Sequence, residues 1–168
     1  MQHHNLDAYI LPSSDPHQSE YVAEYWNSRA WLSGFTGSAG IVVVTKKWAG
    51  LWTDSRYFIQ AEEQLEDSGI DLMKVNEDIS YEDWLIENLD PNSRIGIDGR
   101  LLSVSQEENL SDNLESYCLE LVKQDLITAI WKDRPELSKT KVFIHEMTYA
   151  GQSSQEKIAA VRAEMEEE

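Results

Sequence analysis

Trp52-Thr53-Asp54-Ser55-Arg56-Tyr57-Phe58-Ile59-Gln60-Ala61 carries the chain out of an extended segment and into a helix. Upstream, the β-branched run Ile41-Val42-Val43-Val44 and the segment 49–53 read as two antiparallel strands turned at Lys46-Lys47. Downstream, Tyr57, Phe58, Ala61 and Leu65 fall on one face of a helix, with Asp54 placed to cap its start. A strand followed at once by a helix predicts an α/β fold, in which ligands meet the carboxyl ends of strands. Arg56 stands at that turn, where a guanidinium suits an anionic group such as a carboxylate. Taken alone, an internal salt bridge in an acidic chain is the favoured reading of this arginine.

Outward from this hairpin the pattern stays mixed. Residues 7–11 read as a buried strand closed by Pro12 and the polar cluster Ser13-Ser14-Asp15-Pro16. Tyr21, Val22, Tyr25, Trp26, Ala30 and Trp31 recur near helical spacing and predict a helix ending at Gly34. After Gly69 come a strand over 72–75 and a helix capped by Ser80 with Asp83 three residues on. A strand over 94–98, a helix over 105–115, a strand over 117–122 and a short helical stretch with Leu126, Ile127, Ile130 and Trp131 follow. Lys132-Asp133-Arg134-Pro135-Glu136 is a polar exit with a helix-breaking proline. The predicted organisation is a domain over 1–134, a linker over 135–152 holding the short apolar clasp Val142-Phe143-Ile144-His145, and a helix over 153–168. That helix has Ile158, Val161 and Met165 on one face and finishes on Glu166-Glu167-Glu168, where the macrodipole disfavours negative charge, so it reads as cut short.

The chain has 168 residues, 41% of them hydrophobic, with six Trp, seven Tyr and three Phe, enough for a substantial core. No apolar run approaches the roughly 20 residues that span a bilayer, and no secretory segment follows Met1, which predicts a soluble, cytoplasmic chain. Net charge is −17, and residues 60–92 hold eleven acidic side chains against Lys74 alone. Such a flank repels phosphate, so neither nucleic acid nor an anionic membrane is expected as a partner. Its paired carboxylates lack the spacing and glycine of a calcium loop and read as a solvated face. The single cysteine, Cys118, excludes an internal disulfide and is expected to be a small buried hydrophobe in a strand.

Three motifs invite a chemical reading and fall short of one. Gly34, Gly37 and Gly40 punctuate a loop, but the order is helix, glycines, strand, which offers a phosphate no helix N-terminus. His17 and Glu20 are spaced like a fragment of a metal site without further ligands nearby, and Asp15 is better read as tying down its own loop. Ser, His and Asp are all present, yet no Gly-x-Ser-x-Gly elbow occurs.

Three segments taken together resemble a known family: residues 7–21 (Asp-Ala-Tyr-Ile-Leu-Pro-Ser-Ser-Asp-Pro-His-Gln-Ser-Glu-Tyr), residues 31–40 (Trp-Leu-Ser-Gly-Phe-Thr-Gly-Ser-Ala-Gly) and residues 52–58 (Trp-Thr-Asp-Ser-Arg-Tyr-Phe). In sequence and spacing they look like the N-terminal domain of long-form Xaa-Pro aminopeptidases (aminopeptidase P), of the creatinase/prolidase superfamily. The resemblance covers about residues 6–134. It implies a mixed sheet flanked by helices on both faces, related to the ribonuclease H-like fold, with the C-terminal helix belonging to the start of the next domain. It implies that catalysis lies in a separate pita-bread domain, where two divalent ions, usually manganese, are held by two Asp, one His and two Glu. A bridging water there attacks the bond before proline. No metal is expected in this stretch itself. The implied partners are the protein's own second and catalytic domains, a second subunit, and peptides with proline at the second position. The resemblance also implies a missing helix before residues 7–11 and a last helix loosely docked or packed on another copy. It makes Arg56 a candidate contact for substrate at the border with the catalytic domain, with Asp15, His17 and Phe35 as candidates on the same face. A stand-alone binding or assembly module, and the N-terminal domain of a creatinase-type amidinohydrolase, are the alternatives.

Overall fold

The computed structural model describes residues 1–167, the side chain of Glu167 excepted. They form two compact units, Met1–Leu137 and the residues from Ser138 onward. The first unit is built on strands β1 (Ala8–Pro12), β2 (Ile41–Thr45), β3 (Ala49–Thr53), β4 (Asp71–Lys74), β5 (Arg94–Ile97) and β6 (Glu120–Lys123). They form one six-stranded sheet in the order β4-β3-β2-β1-β5-β6. β1 runs antiparallel to β2 and β2 to β3, whereas β3–β4, β1–β5 and β5–β6 are parallel. The parallel pairs need crossovers, which α2 (Phe58–Leu65) supplies between β3 and β4 and α4 (Val104–Glu115) between β5 and β6.

Alternation along the central strands divides the core into two layers. Tyr9, Leu11, Val42 and Leu51 point to one face and pack with Phe35, Ala61, Leu65, Ile127 and Trp131. This layer is covered by α1 (Ser28–Ser33), α2 and α5 (Ile127–Ile130). Ala8, Ile10, Val43 and Trp52 point to the other face, against Leu85 of α3 (Tyr81–Asn88) and Leu110 and Leu114 of α4. Helices therefore cover both faces, as expected. Each fully buried aliphatic side chain contributes about 1.5–3 kcal/mol of transfer free energy. The buried Tyr9 hydroxyl donates to Gln124 O at 2.8 Å, and burial, the dominant influence, pushes its pKa up to about 12.

Local sequence mispredicts three features. The helix expected from Tyr21 begins only at Ser28: Tyr21 is exposed, and residues 24–26 form a single 3-10 turn. Tyr25 and Trp26 are instead held by cations distant in sequence, Arg134 lying 3.7 Å from the Tyr25 ring centroid and Arg100 5.0 Å from that of Trp26. Cys118 is exposed in a turn at φ +60°, not buried in a strand, because β6 begins two residues later. Asp54 does not cap α2: its carboxylate accepts from Arg56, and its carbonyl accepts from Tyr57 N in a turn before the helix. Ser80 does cap α3 as read, accepting from Asp83 N at 3.1 Å.

The second unit holds α6 (Met147–Ala150) and α7 (Ser154–Glu167). Ser153 and Glu156 close a reciprocal cap at the start of α7, the Ser153 hydroxyl accepting from Glu156 N while the Glu156 carboxylate accepts from Ser153 N. Ile158, Val161 and Met165 are exposed, as are Val142, Phe143 and Ile144, which form no regular element. Glu168, the last of the three terminal acids, lies outside the described residues.

Candidate functional site

The carboxyl ends of β1, β3 and β5 face one edge of the sheet, and the loops leaving them enclose a groove of about 700 Å³. Its walls are the loop after β1, the glycine loop before β2, Arg56, and the first turns of α3 and α4. A smaller cavity of about 420 Å³ adjoins it across Ala39, Gly40, Ile41 and Tyr81. This is the edge at which α/β sheets meet ligands.

The loop after β1 is tied down from within. Asp15, 5% exposed, accepts from His17 N at 2.8 Å and Ser19 N at 3.1 Å through one carboxylate oxygen. Burial raises its pKa, but these bonds outweigh that effect and hold the carboxyl below its usual range. Gln18 takes a left-handed conformation (φ +54°), and its amide nitrogen donates to Ser14 Oγ and to Leu101 O. Asp15 thus shapes the groove wall from beneath, while Ser14, Gln18 and Ser19 line the groove itself. His17 is exposed and stands outside the lining.

Arg56 reaches the groove from the turn before α2. Its Nε and Nη2 donate to the two oxygens of Asp54 at 2.8 and 2.7 Å, and its guanidinium lies 5.2 Å from the Tyr57 ring centroid. The hydrogen bond from Arg56 holds the Asp54 carboxyl below its usual range, and the same bond raises the arginine further. Asp54 therefore sets the direction of the fork, and the salt bridge open in the sequence is present at the groove wall. Next to it the Tyr57 hydroxyl is 2.7 Å from Ser38 Oγ.

Phe35 proves to be core: its ring is fully buried, edge-on to Tyr57, and presents no surface to a ligand. What the sequence reading passed over is Arg29. It is 3% exposed, and its guanidinium donates to Ser13 Oγ at 2.7 Å, Phe35 O at 2.7 Å and Gly37 O. Burial pushes its pKa down to about 10, so it stays charged at neutral pH. The signal for it was slight, a lone cation just before an apolar turn and three glycines. Among the described residues, no cluster of three or more His, Cys, Asp or Glu could hold a metal ion, so no metal-dependent step is derived for this chain.

A mixed sheet layered by helices on both faces, with a loop-built groove at one edge, defines a class, and comparison gives it a family. The chain belongs to the Creatinase/Prolidase N-terminal domain family, whose model matches residues 1–130, and a second model of the same description matches residues 133–168. Aminopeptidase P2 of Arabidopsis thaliana is 44% identical over 162 residues, which span 94% of this chain and 23% of that protein. Aminopeptidase P1 of the same plant is 39% identical over 165 residues, spanning 97% and 25%. X-prolyl aminopeptidase from Caenorhabditis elegans, described from its crystal structure as a cytosolic enzyme with a di-nuclear active site, superposes with a TM-score of 0.82 at 36% identity. The match covers 96% of this chain and 27% of that one. The chain spans about a quarter of the length of the curated relatives it matches.

Proposed function

We propose that this chain is the non-catalytic N-terminal domain of a proline-specific metallo-aminopeptidase, a hydrolase that removes an N-terminal residue preceding proline. The observation that carries this reading is similarity along nearly the whole chain to one quarter of aminopeptidases P, with a TM-score of 0.82 to an X-prolyl aminopeptidase. Hydrolysis is assigned to a part of the parent protein outside these residues, which would hold two divalent ions, manganese in this reading, that would supply an activated water. The parent is cytoplasmic and works as a homodimer. Residues 1–134 are its first domain, 135–152 a linker, and 153–168 the opening helix of the second.

Within that parent, the groove edge faces the substrate. Arg56 contacts the peptide, and Asp15 holds the loop whose surface includes His17. Phe35 acts only indirectly, by supporting Tyr57 from below. Gripping a short N-terminal end before proline demands exact placement of the rest of the peptide, and a rigid loop-built edge supplies it.

The test uses the full-length protein with matched peptides bearing Pro or Ala at the second position. Selective hydrolysis of the Pro peptides, abolished by chelation and restored by manganese, is the expected result. Equal rates on both peptides would refute proline specificity. For the domain's share, Arg56→Ala should lower kcat/KM on Xaa-Pro peptides, and an unchanged value on both long and short peptides would remove Arg56 from the substrate path.

A further inference from the structure

We propose that Arg134 is a positioning residue for the groove: by clasping Tyr25 it fixes a strap, residues 19–25, whose near end forms part of the groove wall. This role rests on the reading that the groove meets peptide.

The strap starts at the loop that Asp15 ties down. Ser19 N donates to the Asp15 carboxylate, and Ser19 and Glu20 line the groove. From Glu20 to Tyr25 no main-chain N–H donates to an acceptor among the described residues, and no side chain of the strap is buried. A cavity of about 280 Å³, lined in part by Glu20, Tyr21, Val22 and Arg29, runs along the same stretch, so the strap is not packed solidly on the core. A segment with neither regular hydrogen bonds nor buried side chains takes its position from its two ends.

Arg134 holds the far end. Its Nε donates to Tyr25 O at 2.7 Å and its Nη1 to Thr128 Oγ1 at 3.0 Å. The guanidinium lies 3.7 Å from the Tyr25 ring centroid and 5.5 Å from those of Trp26 and Trp131. A planar fork bonds through its edge and stacks through its face at once, which an ammonium cannot do. Trp131 in turn belongs to the core and stacks on Trp31 of α1 with ring centroids 5.0 Å apart, so the clasp is anchored.

The chain holds 14 Lys and Arg against 31 Asp and Glu, yet among the described residues no carboxylate pairs with Arg134. In so acidic a protein, a guanidinium directed at a carbonyl, a hydroxyl and aromatic faces serves the shape of a loop rather than charge balance. Arg134 also lies three residues before Leu137, where the first unit ends. The residue that closes the unit thereby places the groove wall.

The first test is backbone amide exchange of the 168-residue chain, unaltered and as Arg134→Ala and Arg134→Lys. Trp26 N and Asn27 N bond to Ala23 O and Glu24 O at the far end of the strap. Both variants should speed exchange there by about tenfold or more, as loss of a hydrogen bond from a charged group implies. Exchange in β1 and β2 should stay the same. Uniform acceleration through the sheet would overturn the proposal, because Arg134 would then serve stability alone, and so would unchanged exchange at residues 26 and 27. Should neither variant fold, Tyr25→Leu decides, since it removes the stacked ring and keeps the carbonyl: acceleration confined to the strap supports the clasp, and its absence refutes it. The second test is kinetic. In the full-length protein, Arg134→Ala should raise KM for Ala-Pro-Ala several-fold at unchanged kcat, and Arg134→Lys should not restore it. An unchanged KM, with or without a lower kcat, would remove Arg134 from the positioning of the groove. Amide exchange needs no hydrolysis, so a failure of the clasp and a failure of the peptidase reading are told apart.

Discussion

Arg29 shows how much of this edge depends on one side chain. Replacing it with Met would leave the carbonyls of Phe35 and Gly37 and the Ser13 hydroxyl without their donor, which costs about 1–3 kcal/mol for each group that finds no other. Arg29→Met should therefore lower the denaturation midpoint sharply and broaden the amide signals of residues 35–40, whereas unchanged stability would remove the clamp. Gly37 is constrained for a different reason: a Cβ placed there would lie 2.2 Å from the Phe35 ring. Gly37→Ala should destabilise by about 1–3 kcal/mol in chemical denaturation, as overpacking does. Neither dependence was legible in the sequence, because each arises only once the loop has folded back over residue 29. Arg56 was legible, since its strand–turn–helix setting is local, and so was the loop-tying role of Asp15, which needs only neighbours two and four residues away.

At the scale of elements, the strands and their order of type were readable from β-branched runs and glycine breaks, and so were the helices with local caps. α4 carries a full capping box between Ser103 and Gln106, so Ser103→Ala should cost about 1 kcal/mol without altering the fold. Denaturation curves for the two proteins measure this directly, and coincident midpoints would deny the cap its weight. The segment before α1 was misread because its aromatic spacing imitates a helix while its partners, Arg100 and Arg134, lie far away in sequence. Such long-range contacts override a weak local period. Cys118 went astray for a related reason: the turn that follows α4 occupies the first residues that the pattern assigned to a strand.

For the whole molecule, the excess of acid gives stability a definite response to pH. Asp7, held down first by its bond from Lys46, and Asp54, held down by Arg56, both sit below the usual carboxylate range, as does Asp15. A carboxyl whose folded pKa is depressed binds fewer protons when folded. Its contribution is therefore full above the unfolded value of about 3.9 and disappears as pH falls through the folded value. Thermal midpoints should hold near neutral pH and fall on acidification below about 4, and a midpoint that rose there would contradict the assignment. The family was legible from three motifs because they shape the groove edge that the fold presents, whereas the chemistry assigned to the parent lies outside the chain. The most direct measurement is therefore hydrolysis of Ala-Pro-Ala by the full-length protein and by this 168-residue chain side by side, each with manganese and with chelator. Metal-dependent hydrolysis by the full-length protein alone is the expected result; hydrolysis by the 168-residue chain, or none by the full-length protein with metal, would contradict it.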